Sequence, residues 1–142
     1  MRKIHLCILA GFICSLCIAE TAAGDAAEVV KKYNSFFNPG GKEDLEDFRS
    51  CFLPKLRSSI SGMPSKSQRE KYPVGRIHIL KEEYENDDTC IIVYRLENRD
   101  GVSVQCLKKH GGKWFLGGRV TKEKMDKLLQ EYVRKPSKSE RR

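Results

Sequence analysis

The stretch DDTCIIVYRLENRDGVSVQCLKKHGGKWFLGG, residues 87–118, decides the fold. Its apolar residues recur every second position, and its breaks fall at Asp87-Asp88, at Asn98 to Gly101 and at Gly111-Gly112. Period-two alternation between short turns of Gly, Asn and Asp is the signature of consecutive hairpins. With RIHILKEEYE before it, four strand-like runs follow one another: 76–85, 89–97, 102–109 and 113–118. Connections this short cannot carry a parallel crossover, so the expectation is an antiparallel meander.

Register divides the apolar residues between two faces. A two-residue turn at Arg99-Asp100 or Asp100-Gly101, and another at Gly111-Gly112, put Cys90, Ile92, Tyr94, Leu96, Leu107, Trp114 and Leu116 on one face. Ile91, Val93, Val102, Val104, Cys106 and Phe115 fall on the other. Both faces are apolar, so both need a cover. Upstream helices can supply one; the second is left for sheet curvature, a terminal helix or a second copy in a homodimer.

The helices lie on either side of the meander. Asp25 and Glu28 have capping-box spacing, and Val29, Val30, Tyr33, Phe36 and Phe37 share a helical face that Asn38-Pro39-Gly40-Gly41 ends. A second helix is expected from Glu43 with Leu45, Phe48 and Phe52 inward and Cys51 at its edge, and Pro54 either closes it or opens a short third helix carrying Leu56 and Ile60. Residues 61–73 read as the longest loop, and a short extra strand is conceivable at 71–75. After the sheet, Thr121 caps a helix whose stripe is Met125, Leu128, Leu129, Tyr132 and Val133.

The ends of the chain set its compartment and charge. Arg2 and Lys3 precede an apolar run from Ile4 to Ala19, too short to span a bilayer, which needs about 20 residues. Small residues at Cys17 and Ala19 suit signal-peptide cleavage after Ala19, with Ala23 a second site, and imply a secreted or periplasmic protein. The CSLC pair, Cys14 and Cys17, leaves with that segment and is neither a redox motif nor a zinc half-site. Six cysteines become three: Cys51, Cys90 and Cys106, disulfide candidates in an oxidising compartment with one thiol left over, the alternative being three buried reduced thiols. Their spacing offers no local zinc chelate, and no metal or cofactor is expected.

Removal of residues 1–19 leaves 25 basic against 19 acidic residues, a net charge of +6. The basic excess is densest in a tail at 134–142, where Arg134, Lys135, Lys138, Arg141 and Arg142 could meet an anionic surface. No aromatic interleaves these charges, which argues against single-strand nucleic-acid stacking. The organisation expected is therefore a signal peptide at 1–19, one domain at 25–133 and a basic disordered tail at 134–142. The fold class is α+β: N-terminal helices packed on a curved antiparallel sheet of about four strands, with an added C-terminal helix.

Read in order, AAEVVKKYNSFF (26–37), CFLPKLRSSI (51–60) and DDTCIIVYRLENRDG running into LKKHGGKWFLGG resemble the nuclear transport factor 2-like cone fold, especially its small exported bacterial members. The resemblance spans about Asp25 to Val120 and implies a curled sheet closed over a pocket by helices. Tyr33, Tyr94 and Trp114 are then the candidate ligand-binding residues, and the function implied is noncatalytic binding of a small apolar ligand or a protein partner. Isomerase- or dehydratase-like chemistry on the same fold, and association with anionic surfaces through the tail, are the alternatives. Fold alone does not choose among them.

No residue is carried over as catalytic. His78 and Glu82 share a strand face at a regular rise of about 13 Å, too far for a direct dyad. Asp44 and Asp47 sit at a helix start, where the dipole accounts for them. Gly40-Gly41-Lys42 lacks the spacing of a phosphate loop, and Gly117-Gly118 reads as a bend or bulge after the last strand.

Overall fold

A computed structural model describes residues 25–41 and 43–133. The expected signal peptide, 1–19, and the expected basic tail, 134–142, fall outside these residues. Helix α1 covers 25–35, α2 is Leu45–Arg49, a 3-10 turn runs over Pro54–Ser59, and α3 is Lys66–Lys71. The strands are β1 (Ile77–Asn86), β2 (Thr89–Leu96), β3 (Ser103–His110) and β4 (Lys113–Leu116), followed by α4 (Lys122–Val133). The sheet order is β1-β2-β3-β4, with every pair antiparallel.

Turn chemistry sets the meander. Gly111 and Gly112 have φ of 57° and 79°, the left-handed pair that a tight hairpin with matching twist requires, and His110 pairs with Lys113 across them. Between β2 and β3 the connection is wider than a two-residue turn, with Tyr94 opposite Ser103. The expected register slips there by an even number of residues, so no side chain changes face. Cys90, Ile92, Tyr94, Leu107, Trp114 and Leu116 bury in one core with Ala26, Val30, Phe36, Phe48 and Cys51 from the helices. Ile91, Val93 and Cys106 bury in a second core with Leu128, flanked by Leu80, Val102, Val104, Val120 and Tyr132.

The cone is not there. The sheet is open and uncurled, with β1 and β4 as its two edges, and α4 covers its second face. Curling is unnecessary once a helix buries the apolar residues of that face, and the first face is filled by helix side chains rather than held open. The resemblance to the nuclear transport factor 2-like fold and the curved sheet are therefore set aside: the fold is an open α+β layer with helices on both faces. The β4 edge is partly closed by residues 51–53, where Leu116 N–H donates to Cys51 O (2.7 Å) and Leu53 N–H donates to Leu116 O (2.9 Å).

Cys51, Cys90 and Cys106 are free and buried, so the disulfide expectation is also corrected. Cys90 lies opposite Leu107 and Cys106 opposite Ile91, on different faces of the sheet. Cys51 shares the first core with Cys90, but its thiol points to Asp47 O at 3.9 Å.

Two further differences are local. Residues 66–71, expected as loop, form α3: Ser65 Oγ accepts from Gln68 N–H (3.2 Å), and Gln68 Oε1 accepts from Ser65 N–H (3.0 Å), a reciprocal cap. In β1, the pairing slips between Ile79 and Lys81 and again between Tyr84 and Asn86. The first slip changes the face of residues 81–84. His78 then lies opposite Arg95, while Glu82 lies opposite Ile92 on the other face, so these two side chains do not share a surface.

Candidate functional site

The expected ligand-binding residues lie in the first core. Tyr33 packs among Phe37, Phe48 and Phe52 with ring centroids 5.2, 5.8 and 5.6 Å away, and burial raises its phenol pKa, with Tyr94 and Cys51 adding to the effect. Tyr94 is 3% exposed. Trp114 is 7% exposed, with Tyr84 against its edge at 5.8 Å and Lys109 Nζ 5.4 Å from its ring centre. The three belong to one packed cluster, as large aromatics on a sheet commonly do. Asp44 caps α2 by accepting from Glu46 and Asp47 N–H, and Asp47 receives Lys32 Nζ at 2.8 Å.

Beside Trp114, Tyr84, Glu82 and Cys90 form a coupled group. Burial, reinforced by the Glu82 carboxylate, pushes the Cys90 thiol up to about 11. Burial, with Cys90 and then Glu82 nearby, pushes the Tyr84 phenol up to about 12. In the unfolded chain these groups ionise near 9.0 and 10.0. Above those values the unfolded chain holds fewer protons than the folded one, so stability falls as pH rises. Their contribution is complete below about pH 9 and is lost progressively toward pH 11 for Cys90 and pH 12 for Tyr84. Melting temperatures from pH 8 to 12 should decline, with a shallower slope for Cys90→Ala over the lower part of that window and for Tyr84→Phe over the upper. Parallel profiles for parent and both variants would assign the decline to other groups.

Elsewhere, two clefts share Arg69 in their lining. One, of about 240 Å³, is lined by Phe37, Pro64, Gln68, Arg69, Tyr72 and Arg99. The other, about 260 Å³, lies between Pro39, Gly40, Gly41 and Glu43 on one side and Lys66, Arg69 and Glu70 of α3 on the other. Arg69 comes from α3 and is 3% exposed; its Nη1 donates to Gly41 O at 3.1 Å and its Nη2 to Glu43 Oε1 at 2.6 Å. Its Nε has no partner among the described residues, which leaves one buried donor of the guanidinium unsatisfied.

Local chemistry positions the rest of the first cleft. The cap at Ser65 starts α3, Tyr72 N–H closes it on Gln68 O at 2.8 Å, and Pro73 prevents its continuation. Arg99, from the β2–β3 connection, donates through Nη2 to Tyr72 O (2.7 Å) and through Nη1 to Asn98 O (3.1 Å) and Pro73 O (3.4 Å). The guanidinium thus ties the Tyr72 backbone to the sheet, while the Tyr72 ring stays 57% exposed under Lys71 Nζ at 5.2 Å. The arrangement is an apolar recess with a fixed aromatic rim and cationic flanks, suited to binding.

Arg69, Tyr72 and Arg99 were not among the residues the sequence nominated. Ser65-Lys66-Ser67-Gln68 carried a readable signal, because Ser with Gln three residues on is a capping box. It announces α3 and hence the placement of Arg69, but nothing local brings Arg99, 30 positions on, to the Tyr72 carbonyl. Among the described residues there is no group of three or more potential metal ligands, and no helix is long and apolar enough to cross a membrane. Comparison with protein-family models, with curated proteins and with solved structures finds no match to this chain.

Proposed function

We propose that the protein is an exported, noncatalytic binding module, and that the cleft between α3 and the β2–β3 connection receives an apolar side chain of a protein partner. The observation that carries this reading is Tyr72: a 57% exposed aromatic whose backbone is held by Arg99 beside a recess walled by Phe37 and Pro64. An anchored aromatic loses little further freedom on binding, and Tyr and Arg are the residues that most often carry interface energy. A volume of about 240 Å³ lies below the usual range for drug-sized ligands, about 300–1,000 Å³, and suits one or two inserted side chains. Export is supported by Arg2, Lys3 and the apolar run to Ala19.

A photoreactive phenylalanine analogue at position 72, in the chain expressed in its native host, tests the reading. It should yield one discrete crosslinked protein, lost when Arg99→Ala is added and absent when the same group replaces Tyr84, the other large exposed aromatic. Equal crosslinking from positions 72 and 84, or none from 72, would remove this cleft as the interface.

A further inference from the structure

A second surface lies at the opposite edge of the sheet. Residues directly opposite across an antiparallel pair share a face, so Lys108 and Phe115, and likewise His110 and Lys113, project on the same side of the β3–β4 hairpin. Arg57, from the 3-10 turn, reaches over the same ring: its guanidinium carbon is 5.4 Å from the Phe115 centroid, and the His110 ring is 6.5 Å from it. An arginine, two lysines and an imidazole are thereby gathered around one half-buried aromatic.

These cations differ from those around α4 and α1. Lys124 is neutralised by Glu83, Lys81 by Glu83 and Glu131, and Lys32 by Asp47. Arg57, Lys108 and Lys113 form no ion pair with any carboxylate among the described residues. Arg57 spends Nε on Phe52 O at 3.1 Å, which fixes its plane, and both of its Nη atoms are without a hydrogen-bond partner among the described residues. Lys108 Nζ rests on Thr89 Oγ1 at 2.7 Å. The acidic turn Asp87-Asp88 of the β1–β2 hairpin abuts β3, where Asp88 O accepts from Lys109 N–H at 2.9 Å, whereas Phe115 and Lys113 lie on β4, on the far side of β3.

We propose that this hairpin face binds a sulfated glycan chain. Opposed side chains lie about 5 Å apart and alternate residues along a strand about 7 Å apart, a ladder of point charges suited to sulfate groups carried along a flexible chain. Arg57 offers the paired donors that grip an oxyanion in two places. The same guanidinium covers the Phe115 ring, which removes the open aromatic platform a single-stranded nucleic acid would stack on. Among the described residues the two exposed large apolar side chains, Tyr72 and Tyr84, are outside this patch, so it has no apolar wedge for insertion into lipid.

The test is calorimetric titration of the full chain with a heparin-derived oligosaccharide over a range of salt. Affinity should fall as salt rises, and Arg57→Gln with Lys113→Gln should weaken binding about tenfold or more at 0.15 M salt while lowering the slope of log K against log salt by roughly two. A control of equal net charge, Lys66→Gln with Lys127→Gln, should bind like the parent, and circular dichroism confirms that both pairs stay folded. The proposal is overturned if the hairpin pair binds like the parent or if the control loses as much. It is equally overturned if deletion of residues 134–142 abolishes binding, or if a single-stranded oligonucleotide or an anionic vesicle of matched charge binds more tightly than the glycan.

Discussion

Replacement of Leu128 by alanine is expected to destabilise the protein by about 3 kcal/mol, the middle of the range for a large aliphatic side chain removed from a packed interior. Leu128 is 2% exposed and anchors α4 in the second core, where it meets Ile91, Val93 and Cys106. For a domain of this size the loss corresponds to a fall in Tm of roughly 12 °C. Around it α4 is tied to β1 by the Lys124–Glu83 and Lys81–Glu131 pairs, but ion pairs that solvent still reaches contribute about 1 kcal/mol each and cannot replace the lost burial. Urea unfolding of Leu128→Ala beside Glu131→Gln measures the ordering directly. A Leu128→Ala effect below 1 kcal/mol would mean that α4 does not seal this face of the sheet.

Alanine at Gly118 should cost about 2–3 kcal/mol through overpacking. A Cβ there would sit 2.5 Å from Cys106 Sγ and 3.1 Å from both Cys106 Cβ and Cys106 O. The backbone cannot retreat easily, because Gly118 N–H donates to Cys106 O at 3.0 Å. Cys106→Ala removes the sulfur and with it the shortest contact, leaving the two at 3.1 Å. The double variant is therefore expected to be no less stable than Gly118→Ala alone, a coupling of about 1–2 kcal/mol in a double-mutant cycle. Strictly additive costs would show that the thiol is not what excludes a side chain at position 118.

Particular residues show how far the sequence could be read. Alternation in β2 and β3 placed Cys90 and Cys106 on opposite faces even though the turn between the strands is wider than expected, because an even slip preserves parity. In β1 the same reasoning fails: a one-residue slip near Leu80 parts His78 from Glu82, and bulges leave no periodic trace in a strand of mixed charge. Helix α3 was legible in its cap at Ser65 and Gln68 but was obscured by the polarity of residues 61–73. The residues of the candidate site were the least legible. Tyr33, Tyr94 and Trp114 are aromatic because they fill the core, and the cleft depends on Arg69 and Arg99, whose roles come from backbone carbonyls distant in the chain.

Period, turn residues and caps are local properties, and from them the sequence alone determined four antiparallel strands in sequential order, an amphipathic α4 and two apolar faces. What covers each face is not local. An apolar face demands burial but does not name its cover, so curvature, a second copy and α4 were equivalent until α4 was seen to lie on Ile91, Val93 and Cys106. That one packing choice removed the cone and its pocket. The tertiary structure likewise decided the cysteines, since three thiols in an odd set say nothing of direction, and burial on separate faces or toward Asp47 O leaves each of them free.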